Sequence, residues 1–118
     1  MDDDATVRTV FRRMLERLGY EVETASDGVQ AAELYRRAHA RAESFAAVIQ
    51  DTLVPKGRDG PETLTELRQE HPSLRAIATS ASSDGKSTEQ LCRQGFAAVL
   101  PKPVRLEEMA RVLNALSA

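Results

Sequence analysis

Phe45-Ala46-Ala47-Val48-Ile49-Gln50-Asp51 is the stretch on which the reading of this chain turns. Five apolar residues end in a polar pair. The run is far too short to span a bilayer, and it suits a strand buried on both faces. A second run of the same kind, Phe96-Ala97-Ala98-Val99-Leu100, ends in Pro101-Lys102-Pro103. Continuous apolar strands are the mark of a parallel sheet covered by helices on both sides.

The flanking sequence supplies those helices. Val7, Val10, Phe11, Met14 and Leu18 recur at helical spacing, and Gly19 supplies a stop. Residues 20–25 alternate, with Tyr20, Val22 and Thr24 against Glu21 and Glu23, which predicts a strand with one wetter face. After the Asp27-Gly28 turn, a second helix carries Ala31, Leu34, Tyr35, Ala38 and Ala42 on one side. Residues 51–60 hold Pro55, Gly57 and Gly60 and read as a loop. Pro61 opens a helix that stops before His71-Pro72. Residues 74–79 form the next strand, followed by a Ser-, Asp- and Gly-rich loop over 80–86. Ser87 and Gln90 have capping-box spacing for a short helix ending near Gly95. Pro103 opens the last helix, with Leu106, Met109, Ala110, Leu113 and Leu116 on one face. One helix and then four rounds of strand and helix define an α/β, doubly wound parallel sheet. Sites in such sheets form beyond the carboxyl ends of the strands.

Composition narrows the function classes. The 118 residues are 42% apolar and 29% charged with a net charge of −2, ordinary for one globular domain over residues 1–118. A single cysteine, Cys92, excludes an internal disulfide and a cysteine zinc site, and reads as a packing residue. His39 and His71 fall in predicted surface segments. Arg12-Arg13 and Arg36-Arg37 lie in amphipathic patterns and read as solvated helix faces, not a nucleic-acid patch. With no Trp and 4% aromatics there is no platform for stacking single strands. The opening Met1-Asp2-Asp3-Asp4 lacks the basic-then-apolar pattern of a secretion signal, so a cytoplasmic protein without membrane insertion is expected.

Parallel topology gathers Asp2-Asp3-Asp4, Asp51, Lys102 and, more weakly, Ser80 at one edge of the sheet. Clustered carboxylates repel unless a hard cation lies between them, and oxygen ligands of this type suit Mg²⁺. With a lysine and a hydroxyl nearby, such a site clamps phosphoryl oxygens, and an aspartate in it can itself accept the phosphoryl group. Each residue also has a plainer reading. Asp2 to Asp4 can complement a helix N-terminus, Asp51 can be a turn residue, Lys102 can be plain surface, and Ser80 alone means nothing. Their ordered placement carries the weight.

These residues resemble the receiver domains of two-component response regulators over nearly the whole chain. Asp2-Asp3-Asp4-Ala5-Thr6-Val7-Arg8 is similar to the family's acidic opening, and Val48-Ile49-Gln50-Asp51-Thr52-Leu53-Val54-Pro55 to its phosphoacceptor strand and loop. Gly19-Tyr20-Glu21-Val22 and Ala25-Ser26-Asp27-Gly28 resemble its second strand and turn, and Lys102-Pro103 the Lys-Pro after its last strand. The Pro55 to Gly60 loop and Gly95-Phe96-Ala97-Ala98-Val99 are similar to receivers at the C-terminus of hybrid sensor histidine kinases. The resemblance implies a flavodoxin-like sheet of order 2-1-3-4-5. It implies that Asp51 takes a phosphoryl group from a phosphohistidine on a histidine kinase or histidine phosphotransfer domain. Asp3, Asp51 and the Leu53 carbonyl would hold Mg²⁺ directly, and Asp2 through water. Lys102 would pair with Asp51 and then with the phosphoryl oxygens. Ser80 would turn inward onto the phosphoryl group, with Thr52 and Ala81 in the same phosphoryl-binding and switch set. The resemblance implies a signalling domain and not a turnover enzyme.

Three departures from the family stand out. Its first, central strand is missing, because Met1 falls at that strand's last position; an N-terminally truncated domain is expected, or one in which another element fills the gap. Val99 stands where many receivers have an aromatic switch residue. Gln50 is polar where the strand is usually apolar, and belongs either to the site or to the strand's wet end. The alternative function is a degenerate pseudo-receiver that acts only by protein contacts. A phosphatase of the haloacid dehalogenase class is disfavoured, because position 53 is Leu where a second Asp is needed.

Overall fold

The computed structural model describes residues 1–2, 4–43, 45–51, 66–80, 88–93 and 95–117. Helix α1 spans Ala5–Arg17 and α2 spans Gly28–Ala40. Strand β1 is Val48–Asp51, β2 is Ala76–Ser80, helix α3 is Thr88–Arg93, strand β3 is Ala98–Pro101 and helix α4 is Leu106–Ser117. Residues 66–70 are helical as well.

The strands form one parallel sheet of order β1-β2-β3, with Asp51 opposite Thr79 and Ser80 opposite Pro101. Side chains alternate across it, as strand geometry requires. Val48, Ala76, Ala78 and Val99 pack to one side with Tyr35, Leu67, Leu74, Leu91 and Phe96. Ile49, Ile77 and Leu100 pack to the other with Met109, Val112 and Leu113 of α4 and with Phe11, Met14 and Leu15 of α1. Helices therefore cover both faces, and β2 is buried along its whole length. That is the doubly wound arrangement read from the apolar runs.

Local chemistry sets the helix ends. Asp4 caps α1, its Oδ1 accepting from the amides of Thr6 at 2.8 Å and Val7 at 3.3 Å. Asp27 caps α2 through the Gln30 amide at 2.8 Å. Gly19 takes φ +95° after α1, a left-handed turn that L side chains rarely adopt. The Leu106, Met109, Ala110, Leu113 and Leu116 face of α4 points inward, with Met109 fully buried. The α1 stripe is narrower than its periodicity predicts, since Val10 is 47% exposed while Leu15 joins the packed face.

Residues 20–25 depart from expectation. The alternating pattern predicts a strand, yet residues 21–25 join no ladder, and Tyr20 is 37% exposed. A strand exists only beside a partner. The partner here is two residues long: the Asp2 amide donates to the Ala25 carbonyl at 3.1 Å. On the other side, the Asp51 amide donates to the Met1 carbonyl at 2.9 Å and the Met1 amino group donates to the Ile49 carbonyl. Met1 and Asp2 thus hold the position between residues 20–25 and β1.

Three smaller expectations are corrected. Cys92 is exposed on α3 and packs in no core. His71 lies largely inside, its side chain only 13% exposed, with ring centroids 4.3 Å from His39 and 5.0 Å from Tyr35. Gln50 is completely buried, which removes the wet-end reading. Pro61 and Ser87 lie outside the described residues.

Candidate functional site

Two apolar strands and one helix start deliver the charged side chains to a single edge of the sheet. Asp51 ends β1 and is 6% exposed. Asp2 precedes α1 and is 4% exposed. Lys102 follows β3, its amide donating to the Ser80 carbonyl at 2.9 Å, which ties the turn after β3 to the end of β2. The Lys102–Pro103 peptide is cis. Lys102 Nζ lies 3.2 Å from Asp51 Oδ2 and 3.8 Å from Asp2 Oδ2. One ammonium therefore serves two nearly buried carboxylates.

Asp2 is held through both its backbone and its side chain. Arg8 Nη1 donates to its carbonyl at 2.8 Å, and its Oδ1 accepts from the Asp4 amide at 3.0 Å. Burial pushes the Asp2 carboxyl above the usual carboxylate range; the Asp4 amide opposes that shift, the Asp51 charge adds to it, and Lys102 opposes it. Asp2 Oδ2 is buried with no hydrogen-bond partner among the described residues. The Met1 ammonium is pushed down to about 6 from 8.0, chiefly by burial. Ser80, 8% exposed, stands at the end of β2 one position beyond Thr79, the residue opposite Asp51.

The structure thus brings together Asp2, Asp51 and Lys102, with Ser80 on the neighbouring strand end. Asp3, Thr52, Leu53 and Ala81 lie outside the described residues. Arg8 closes the acidic opening motif, but its hydrogen bond to the Asp2 carbonyl and that of the Met1 carbonyl with the Asp51 amide had no sequence signal, because each engages a backbone group. Asp4 performs the capping role that was the plainer reading of the acidic run. Val99 is half-buried and packs on the Tyr35 and Phe96 side of the sheet.

The donor set fits a hard cation. Two carboxylates converge, one of their buried oxygens lacks a hydrogen-bond partner among the described residues, and oxygen ligands are what Mg²⁺ takes. Lys102 supplies a counter-charge to the carboxylates and a donor for any anion bound among them.

This fold and edge cluster define a class, and the comparisons agree: the chain belongs to the response regulator receiver domain family, which it matches over residues 1–114. It is 30% identical over 114 residues to the sensor kinase CckA of Brucella abortus, covering 97% of this chain and 12% of that protein. It is 34% identical over 116 residues to the response regulator MprA of Mycobacterium leprae, covering 98% of this chain and 48% of that protein. The chain thus spans about half the length of one curated relative and far less of the other. The receiver domain of a Pseudomonas aeruginosa sensor histidine kinase superposes with TM-score 0.85 at 26% identity, covering 100% of this chain and 94% of that one; a magnesium ion is coordinated in its active-site cleft. Likeness to sensor-kinase receivers, read first from short motifs, therefore holds across the whole chain.

Proposed function

We propose that this chain is a Mg²⁺-dependent phosphoacceptor of a two-component phosphorelay, taking a phosphoryl group on Asp51. The observation that supports it most is the Asp2–Asp51–Lys102 cluster, with Lys102 Nζ 3.2 Å from Asp51 Oδ2. In the transfer, the phosphorus–nitrogen bond of a phosphohistidine breaks, a bond from phosphorus to an Asp51 oxygen forms, and the imidazole leaves with the electron pair. Lys102 shifts from the Asp51 carboxylate to the phosphoryl oxygens. Ser80 donates its hydroxyl to the phosphoryl group, and Thr52 and Ala81 belong to the same binding and switch set. The cation would be held directly by Asp51 and, on the family resemblance, by Asp3 and the Leu53 carbonyl, with Asp2 acting through water. The cation, when bound, neutralises charge on the transferring group.

The donor is a histidine kinase or histidine phosphotransfer domain, and the setting is cytoplasmic. Among the described residues no helix is long and apolar enough to cross a membrane. Residues 1–118 act as a single receiver domain, and the chain signals without turning over a substrate. Output without an aromatic at position 99 runs through Ser80, a shift between pre-existing states.

Intact-mass spectrometry after phosphoramidate and Mg²⁺ tests this reading. One added phosphoryl group is expected, absent in Asp51→Asn and absent without Mg²⁺. No uptake overturns the phosphoacceptor reading and leaves the degenerate, contact-only receiver.

A further inference from the structure

Arg8 stands where a helix least favours a cation. Asp4 caps α1, and the Arg8 amide closes the first turn on the Asp4 carbonyl at 3.0 Å. The partial positive charge of a helix start repels a guanidinium there, and the first turn of α1 carries no acidic side chain to offset it. Arg8 is nevertheless half-buried, and its Nη1 donates to the Asp2 carbonyl at 2.8 Å, six residues back along the chain. The acceptor is a peptide oxygen and not a carboxylate, so the bond fixes a position more than it cancels a charge.

That bond completes the hold on Asp2. The Asp2 amide donates to the Ala25 carbonyl at 3.1 Å, Oδ1 accepts from the Asp4 amide at 3.0 Å, and the carbonyl accepts from Arg8. Oδ2 is left, 3.8 Å from Lys102 Nζ. Of the three bonds only the one from Arg8 needs a second side chain, so it is the one a substitution can remove. The Asp2 carbonyl belongs to the peptide unit that joins Asp2 to Asp3. A peptide unit is planar, so a bond to its oxygen fixes the direction of the chain at both residues. Asp51 and Lys102 are the charges that bear on the Asp2 carboxyl; Arg8 bears on the backbone beneath it.

We propose that Arg8 is a positioning residue of this site: it holds the Asp2–Asp3 peptide unit in the orientation from which the acidic pair meets a divalent cation, and so sets the affinity for Mg²⁺. It touches neither the cation nor the phosphoryl group. Carboxylates gathered at one edge repel each other while no cation lies between them, and the Arg8 bond resists the backbone movement that would relieve that repulsion. Groups that orient metal ligands in this way act on affinity although they bind no metal. The inference rests on the phosphoacceptor reading of the same site and adds the residue that keeps it in shape.

The test is calorimetric titration of Mg²⁺ into the full chain, unsubstituted and as Arg8→Met and Arg8→Lys. Met keeps an unbranched apolar stem and removes every donor. Arg8→Met is expected to weaken Mg²⁺ binding about tenfold, and Arg8→Lys, which keeps a donor, to recover part of the loss. In the metal-free chain, Arg8→Met should speed exchange of the Asp2 amide about tenfold and leave that of Ile77 in β2 unchanged. A role confined to overall stability would speed both amides together. Unchanged Mg²⁺ affinity in Arg8→Met, or a loss of affinity with equally faster exchange at Ile77, overturns the proposal. Should Arg8→Met not fold, Arg8→Gln, two atoms shorter than arginine, takes its place with the same outcomes. An unsubstituted chain that binds no Mg²⁺ overturns the phosphoacceptor reading and this proposal with it. An unsubstituted chain that binds Mg²⁺ no better than Arg8→Met overturns this proposal alone.

Discussion

Strand β2 and residues 20–25 carry comparable strand signals, yet only one of them is a strand. All five residues of β2 are buried, with a partner strand on each side. Residues 20–25 touch a partner through one backbone bond, from Asp2 to Ala25, and leave Tyr20 37% exposed. The difference lies in what flanks each segment and not in the segment itself. Residue pattern fixes which face of a strand is apolar, but the ladder needs a neighbour to exist. The candidate site sits where these two regions meet, with Asp51 on the complete side and Asp2 on the two-residue stub.

The sharpest contrast is expected from truncating one side chain in each region. Ile77→Ala, in the fully buried middle strand, should cost about 2–5 kcal/mol in denaturant unfolding. Val22→Ala, half-buried in the unpaired segment, should cost less than about 1 kcal/mol. Equal costs would break the comparison, because residues 20–25 would then be as firmly packed as β2.

The stub carries its own pH signature. Burial depresses the Met1 amine to about 6 in the folded chain, from 8.0. The unfolded chain therefore binds more protons between those values, and stability should rise with pH from 6 to 8 by up to about 2 kcal/mol. Acetylating the amine should flatten that rise. Asp2 has the opposite sign: its raised value means the folded chain binds the extra proton, so stability falls as pH rises through the acid range above 3.8. Urea unfolding across pH 4–8, with and without acetylation, reads both slopes.

The smallest expected effect is a gain. Gln50 is wholly buried in β1 and neither of its amide atoms has a hydrogen-bond partner among the described residues. Gln50→Met keeps the length and removes the unsatisfied polar atoms, and should stabilise by about 1 kcal/mol. A loss of stability would mean that the amide is satisfied in solution, by water or by residues after Asp51.

Much of this was legible in the chain. The runs at 45–49 and 96–100 are continuous because both faces of their strands are covered, so the parallel sheet and its helices are legible in the residues alone. Asp51, Asp2 and Lys102 were legible because parallel strands deliver their carboxyl ends to one edge. What stayed hidden depends on neighbours that no local pattern encodes. Residues 20–25 alternate whether or not a partner lies alongside. Gln50 looks like a strand end, and its burial comes from packing around β1. His71 follows a helix and precedes Pro72, a surface pattern, yet its ring packs at a tilt against Tyr35 and His39. Cys92 looks like a small core residue, but α3 turns it outward. Asp3 and Leu53 remain expectations carried by the family resemblance.

The central claim, that Asp51 accepts the phosphoryl group, is tested most directly by locating it. An acyl phosphate on aspartate is reduced by borohydride to homoserine, whereas a phosphate ester on serine or threonine is not. The chain is phosphorylated with phosphoramidate and Mg²⁺, treated with borohydride, digested and sequenced by mass spectrometry. Homoserine at position 51 alone is the predicted result. Homoserine at position 2 or 3, or phosphate retained on a hydroxyl such as Ser80, would contradict the account.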